Sequence, residues 1–307
     1  MSTLPVIAAV DGSDDSLRAL DWALDTARRR EAPVTVVHVR HDTAWTQPGA
    51  PVVLPPPPED DPVLAQARDR LTERADGIDA HYAALDGAPS ALLPELGSEA
   101  QLLVLGSRGR GGFASLLLGS NGLAAARDAD CPVVVVPRPG REVADALPQE
   151  PGPRVVVGLK VDSPDEGALG LAFTEATLRG ARVQVIAAYP WPIRDWAMTG
   201  EMAMVMIDRT AVETDTRRLA EEIVAPVRAR RPQVPAEVVA VPGDAAGALV
   251  AASPGAELTV VGRHRRRLLV RPRMLGSVTQ AVLSHAASPV AVVPPAPEDG
   301  PTGSSNG

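Results

Sequence analysis

Cysteine is nearly missing from this chain: Cys131 is the single one in 307 residues. No intramolecular disulfide can form, which excludes a small disulfide-stapled scaffold and fits a cytosolic address. Cys131 precedes the apolar run Pro132 to Val136 and has no cation next to it to lower its pKa, so a plain core thiol is expected. Long hydrophobic runs are also lacking. No stretch approaches the roughly 20 apolar residues of a membrane span, and MSTLPVIAAVDG has neither the basic region nor the apolar core of a secretion signal. Basic charge is in deficit, 30 Lys and Arg against 38 Asp and Glu for a net charge of -8, which argues against nucleic acid or an anionic membrane as a partner. The histidines, His38, His41, His81, His264 and His285, show no i, i+4 pairing and no spacing to Cys or carboxylates typical of a metal site, so no structural metal is expected.

What is present is an ordinary globular balance, 45% hydrophobic and 22% charged, in a chain longer than the roughly 100 to 200 residues of one domain. Two cores are therefore expected, and internal self-similarity supports them. LLVLGSRGR (102 to 110) is echoed by LTVVGRHRR (258 to 266), and LLLGSNGLAAARDADCPVVVVP (116 to 137) by RMLGSVTQAVLSHAASPVAVVP (273 to 294). PVIAAVDGSDDSLRALDWAL (5 to 24) is matched more loosely by RVVVGLKVDSPDEGALGLAF (154 to 173). The division expected is a first domain over 1–140, a linker over 141–153, a second domain over 154–295 and a disordered Pro, Gly and Ser-rich tail over 296–307.

In each copy, short β-branched runs alternate with segments of helical spacing. Copy one predicts strands at 5–11, 34–39, 79–85, 101–106 and 132–137, with helices behind Ser13 as N-cap and over 62–75, 88–97 and 119–129. The proline run Pro55 to Pro58 reads as a surface loop. Copy two predicts strands at 154–160, 182–189, 235–241, 257–262 and 289–294, and a first helix opened by the capping box Ser163 to Glu166 with Pro164 at its first position. Near-continuous apolar strands separated by helices imply α/β architecture: two tandem doubly wound, Rossmann-like domains, each a five-stranded parallel sheet with helices on both faces.

The segment with chemical content is Gly106-Ser107-Arg108-Gly109, nine further residues, then Gly119-Ser120, between a predicted strand and a predicted helix. Glycines admit close approach of backbone N–H groups to an anion, the Ser120 hydroxyl adds a donor, and the helix N-terminus adds free N–H groups and a positive dipole end. Arg108 and Arg110 either reinforce the site or face solvent. Glycines alone fit an unliganded tight loop better. Their place at the carboxyl end of the fourth strand, with Asp11-Gly12 at the end of the first, reverses that, because open α/β sheets bind ligands there. Asp11 either accepts a hydrogen bond from a nucleoside or caps the following helix.

These residues resemble the universal stress protein family, whose ATP-binding members carry G-x2-G-x9-G-[S/T]; Gly106, Gly109, Gly119 and Ser120 match it in full. Val10-Asp11-Gly12-Ser13 matches the family's opening strand and Asp-Gly-Ser, and Cys131-Pro132-Val133 its closing strand. The resemblance, shared with adenine nucleotide alpha hydrolase-like folds, implies a stress-response regulator that binds ATP, with or without Mg2+, and at most hydrolyses it slowly. It implies contacts from Ala9, Val10, Asp11, Val39, Gly106, Arg108, Gly109, Gly119, Ser120 and Asn121, with Asp11 and the backbone at Val39 holding adenosine. It also implies pairing through the last strand, as a homodimer or between the two domains of one chain. Copy two departs from the pattern: His264 and Arg265 stand where the second glycine should be, and Lys160 replaces the aspartate in an ungapped match. ATP is therefore not expected there. Its cluster of Arg263, Arg265, Arg266, Arg267, Arg271 and Arg273 reads as a solvated basic loop ahead of a grip for a phosphate, a partner's acidic face or nucleic acid.

Two other functions stay open on the residues. One is a nucleotide-independent interaction protein with vestigial loops. The other is an adenylating or ATP-splitting enzyme, although Asp11 to Ser16 fails its S-G-G-x-D-S loop at the first and third positions. The acid pair Asp14-Asp15 also resembles a phospho-accepting receiver domain with Asp86 as acceptor, but Pro137-Arg138 stands where its lysine belongs. Trp191 and Trp196, with Met198, Met202, Met204 and Met206, make copy two's long connection partly apolar, as core packing or a dimer seam.

Overall fold

The computed structural model describes residues 3–40, 57–72, 74, 77–109, 118–143, 146–147, 150–189, 191, 208–263 and 275–295. In the first half the order is β1 (Val6–Ala9), α1 (Asp14–Arg30), β2 (Val34–Arg40), α2 (Pro62–Thr72), β3 (Ala80–Asp86), α3 (Pro89–Glu95), β4 (Leu102–Gly106), α4 (Ser120–Asp128) and β5 (Val133–Val136). The second half repeats it: β6 (Arg154–Gly158), α5 (Glu166–Arg179), β7 (Arg182–Tyr189), α6 (Arg209–Arg230), β8 (Ala236–Pro242), α7 (Ala245–Ala252), β9 (Leu258–Gly262), α8 (Ser277–His285) and β10 (Val290–Val293).

Within each half every strand pair is parallel, and the sheet order is β3-β2-β1-β4-β5 mirrored by β10-β9-β6-β7-β8. The halves join through β5 and β10, which pair antiparallel with Ala291 opposite Val134. One ten-stranded sheet results. Successive side chains on a strand point to opposite faces, so its apolar runs feed two cores. Val6, Ala8, Leu102, Val104, Val134 and Ala291 pack with α1, α2, α5 and α6, while Ile7, Leu103, Leu105, Val133, Val135 and Val292 pack with α3, α4, α7 and α8. Each core crosses the domain boundary, because the pleat runs unbroken from β5 into β10. Cys131 lies in the second core, where burial raises its thiol pKa to about 11.

α1 is built as its sequence suggests. The Ser13 hydroxyl accepts from Ser16 N–H at 3.2 Å, Asp14 and Asp15 sit at the positive end, and Arg28, Arg29 and Arg30 at the negative end. Its counterpart α5 corrects the sequence reading. The expected capping box at Ser163 is not formed; Asp165 is the N-cap, accepting from Ala168 N–H at 2.9 Å, and the helix begins at Glu166. Pro164 lies in the extended approach and not in the first turn, because the Asp165 carboxylate is the better-placed acceptor for the free N–H groups. Both helices end in a left-handed residue, Glu31 (φ 51°) and Gly180 (φ 60°), so α5 is the same helix lacking its first turn.

α1 and α5 meet across the domain boundary. Glu175, 1% exposed, pairs with Arg30 of the other domain and with Arg179 at 3.0 Å; Arg179 also donates to Thr26 Oγ1 at 2.9 Å and lies 4.9 Å from the Trp22 ring centre. The segment after β5 is docked as well, Leu147 N–H donating to Ala251 C=O at 2.9 Å. His41, Trp196 and the four methionines of copy two's long connection lie outside the described residues, as does the tail.

Candidate functional site

The sheet order opens a crevice where β1 and β4, neighbours in space, send their following segments to opposite faces. A cavity of about 420 Å³ lies there. All ten residues named from the sequence line it: Ala9, Val10, Asp11, Val39, Gly106, Arg108, Gly109, Gly119, Ser120 and Asn121. Sequence reading missed Ser16, Pro89, Leu93, Leu105 and Gly122, which line it too. Gly122 could have been found, since it is the third residue of the helix whose N-terminus was expected to face the ligand. Pro89 and Leu93 carry no such signal; only the folding of α3 brings them over the sheet.

The loop is held by the ends of the strands. Ser107 N–H donates to Val136 C=O and Gly119 N–H to Ser107 C=O, both at 2.9 Å. α4 then starts with Gly119 as N-cap and no side-chain cap. Its first intrahelical bond is Leu123 N–H to Gly119 C=O, so the N–H groups of Ser120, Asn121 and Gly122 have no partner among the described residues. Asp11 does not cap α1 directly. Its Oδ1 accepts from the Ser13 N–H at 3.0 Å and the Ser13 hydroxyl at 2.6 Å, orienting the residue that does.

The three motif glycines differ in their surroundings. A Cβ on Gly106 would lie 2.6 Å from the Asp15 carbonyl carbon, so the backbone of α1 packs on it. One on Gly109 would collide with Asp11 Oδ2. One on Gly119 would meet nothing nearer than Ser107 O at 3.7 Å, and Gly119 has an ordinary φ of -75°. Neither packing nor backbone geometry within the described residues requires glycine there.

Asp15 is more than a helix-start acid. It is 2% exposed and receives both Arg138 Nε at 2.9 Å and the buried Ser107 hydroxyl at 3.3 Å, besides an ion pair with Arg18. It thereby ties α1 to the segments leaving β4 and β5. The receiver-like arrangement is corrected by topology: β3 is the edge strand with β2 between it and β1, and Asp86 is bound by Arg40 through two 2.8 Å contacts far from Asp15.

In the second domain the strand registers confirm the ungapped match. Val6 opposes Val34 and Leu102, and Val155 opposes Val183 and Leu258, so Lys160 takes the place of Asp11. Two of the equivalent positions carry larger side chains, Asp165 for Ser16 and Thr279 for Gly122. Leu249 packs onto Gly158, so that a Cβ there would meet its Cδ1 at 2.9 Å; the Asp165 carboxylate lies against Gly262. Thr279, the counterpart of Gly122, donates its hydroxyl to Gly262 C=O at 3.1 Å. Arg110, His264, Arg265, Arg266, Arg267, Arg271 and Arg273 lie outside the described residues.

Fold and crevice together define the class, a tandem doubly wound α/β protein with a glycine-lined crevice in its first half. The model of the universal stress protein family matches residues 4–137 and 153–294, and the chain belongs to that family. Universal stress protein Rv2005c of Mycobacterium tuberculosis is 34% identical over 295 residues, covering 94% of this chain and 96% of its own. Rv2623 of the same organism is 30% identical over 304 residues, covering 95% and 96%. Among solved structures, a universal stress protein from Archaeoglobus fulgidus superposes with a TM-score of 0.60 at 19% identity, covering 96% of this chain and 97% of its own, a likeness of fold. Among the described residues no helix is long and apolar enough to cross a membrane.

Proposed function

We propose that the chain is a cytosolic stress-response regulator that holds one ATP per chain in the first domain and none in the second. The observation that carries this reading is Gly119. It is a glycine that no described part of the protein requires, it lines the cavity, and it stands at the mouth of a helix whose first three N–H groups lack partners among the described residues. A phosphate docking on that helix end accounts for both facts.

The remaining lining fits a nucleotide. A cavity of about 420 Å³ falls in the range of roughly 300 to 1,000 Å³ usual for small-molecule sites. Ala9, Val39, Leu93 and Leu105 offer apolar walls to a base, the Asp11 carboxylate accepts from a ribose hydroxyl or an amino group, and Arg108 offsets phosphate charge. Mg2+ would ride on the phosphates, since no group of three or more His, Cys, Asp or Glu that could hold a metal occurs among the described residues. Lys160 in place of Asp11, with Asp165 and Thr279 in place of Ser16 and Gly122, supports a single site. Among the described residues no activated nucleophile or acid–base pair accompanies the loop, which favours binding over catalysis.

Calorimetric titration of ATP tests this. One site per chain is expected, abolished by Gly119→Val combined with Ser120→Ala. Two equivalent sites, or no heat of binding and no rise in melting temperature at saturating ATP, would overturn it. Release of AMP and pyrophosphate would replace it with an adenylating activity.

A further inference from the structure

The two domains grip each other by the ends of their loop helices. Arg263 Nη1 donates to the carbonyls of Ala129 at 2.8 Å and Ala126 at 3.4 Å, at the C-terminus of α4. Arg141 Nη1 donates to Ala286 at 3.1 Å and Leu283 at 3.5 Å, at the C-terminus of α8. The accepting carbonyls are equivalent, since the offset that brings Gly119-Ser120 onto Gly276-Ser277 also brings Ala126 and Ala129 onto Leu283 and Ala286. The arginines are not. Arg263 directly follows β9 and stands at the position of Ser107 in the first domain, as the paired bonds Ser107 N–H to Val136 C=O and Arg263 N–H to Val293 C=O show. Arg141 belongs to the segment leaving β5.

The exchange matters because of what α4 is. It has nine residues, about 13 Å of length, with its N-terminus in the cavity and its C-terminus under Arg263. It has no side-chain N-cap, and its C-cap, Ala129, is extended and not the left-handed glycine that closes many helices. Arg127, the cation of its last turn, is engaged by Asp128 at 2.6 Å. A guanidinium from the other domain therefore supplies the hydrogen bonds and positive charge that a helix C-terminus favours.

The geometry points to Arg263 as a positioning residue for the nucleotide site: the second domain fixes the helix whose N–H groups receive phosphate in the first. This rests on the nucleotide reading above. It predicts that affinity in one domain is set partly by a residue of the other, lying beyond the far end of a nine-residue helix.

The test uses the full chain and four proteins: wild type, Arg263→Ala, Arg263→Lys, and Arg30→Ala. Arg30 makes an interdomain contact to Glu175 at the end of α1 remote from the cavity, so its loss loosens the domains without touching α4. ATP affinity by calorimetry, melting temperature without nucleotide, and hydrogen exchange at the amides of Leu123 to Ala126, the first bonded ones of α4, are measured. Arg263→Ala is expected to weaken ATP by about fivefold or more and to speed exchange of the bonded amides of α4 without nucleotide, with Arg263→Lys recovering most of both. Arg30→Ala is expected to lower the melting temperature and leave affinity within about twofold. Unchanged affinity in Arg263→Ala, or an equal loss in Arg30→Ala, overturns the inference alone and leaves a plain structural clamp. Failure of wild type to bind ATP overturns the nucleotide reading and this inference with it. If Arg263→Ala does not fold, Arg263→Gln gives the same comparison.

Discussion

At Gly106 an added methyl would press on the main chain of α1, 2.6 Å from the Asp15 carbonyl carbon, whereas at Gly119 it would make only ordinary contacts, the nearest to Ser107 O at 3.7 Å. Gly106→Ala is therefore expected to destabilise the protein by about 1 to 3 kcal/mol, the usual cost of overpacking, read as a lower urea midpoint. Gly119→Ala is expected to leave that midpoint unchanged and to weaken ATP binding; equal effects at the two glycines would contradict the separation drawn here. The motif was legible as a spacing, but the different reasons for its glycines were not, because each reason is a neighbour from elsewhere in the chain. Asp61 is a second case. It is 1% exposed, accepts from the N–H groups of Val63 and Leu64, and faces His38 Nδ1 at 2.9 Å. Burial raises its pKa, but the Leu64 N–H, His38 and the Val63 N–H together outweigh that and hold it below the usual 3.8. A carboxyl depressed on folding stabilises the protein above its unfolded pKa, and that stability is lost as pH falls through the folded value. Wild type is thus expected to lose stability relative to Asp61→Asn below about pH 4, and parallel stability curves for the two proteins would refute this.

Among the elements, the strands were the most legible, because β-branched runs such as VTVVHV and PVVVVP leave little alternative. The start of α5 was not. Ser163 and Glu166 have capping-box spacing, yet Asp165 lies between them and its carboxylate captures Ala168 N–H instead, which costs the helix one turn. The α1 and α5 contact was also invisible, since i, i+4 spacing of an acid and a base on a helix does not mark the pair as buried. In the fold both are buried and share partners from the other domain. Glu175→Ala, which strips Arg30 and Arg179 of their common carboxylate, is expected to cost roughly 3 to 5 kcal/mol in chemical denaturation. A loss under about 1 kcal/mol, typical of an exposed pair, would show that the network does not bind the domains together.

For the whole molecule, the β5–β10 pair has the largest consequence. β5 is four fully buried valines, and its outer edge is covered by the other half of the same chain. Residues 1–143 made alone are expected to self-associate through that edge, because a flat hydrophobic strand with free N–H and C=O groups is a template for pairing. Sedimentation showing a monodisperse monomer at micromolar concentration would contradict this. The sequence by itself determined the duplication, the alternation of strands and helices, and the ten residues that share one crevice, since periodicity and glycine spacing are local properties carried in linear order. Only the tertiary structure decided that the last-strand pairing is made within one chain, that Asp165 lies against Gly262 and Thr279 bonds its carbonyl, and that Arg263 closes the helix of the opposite domain. Those are contacts between residues far apart in the chain, and linear order does not specify which distant groups will meet.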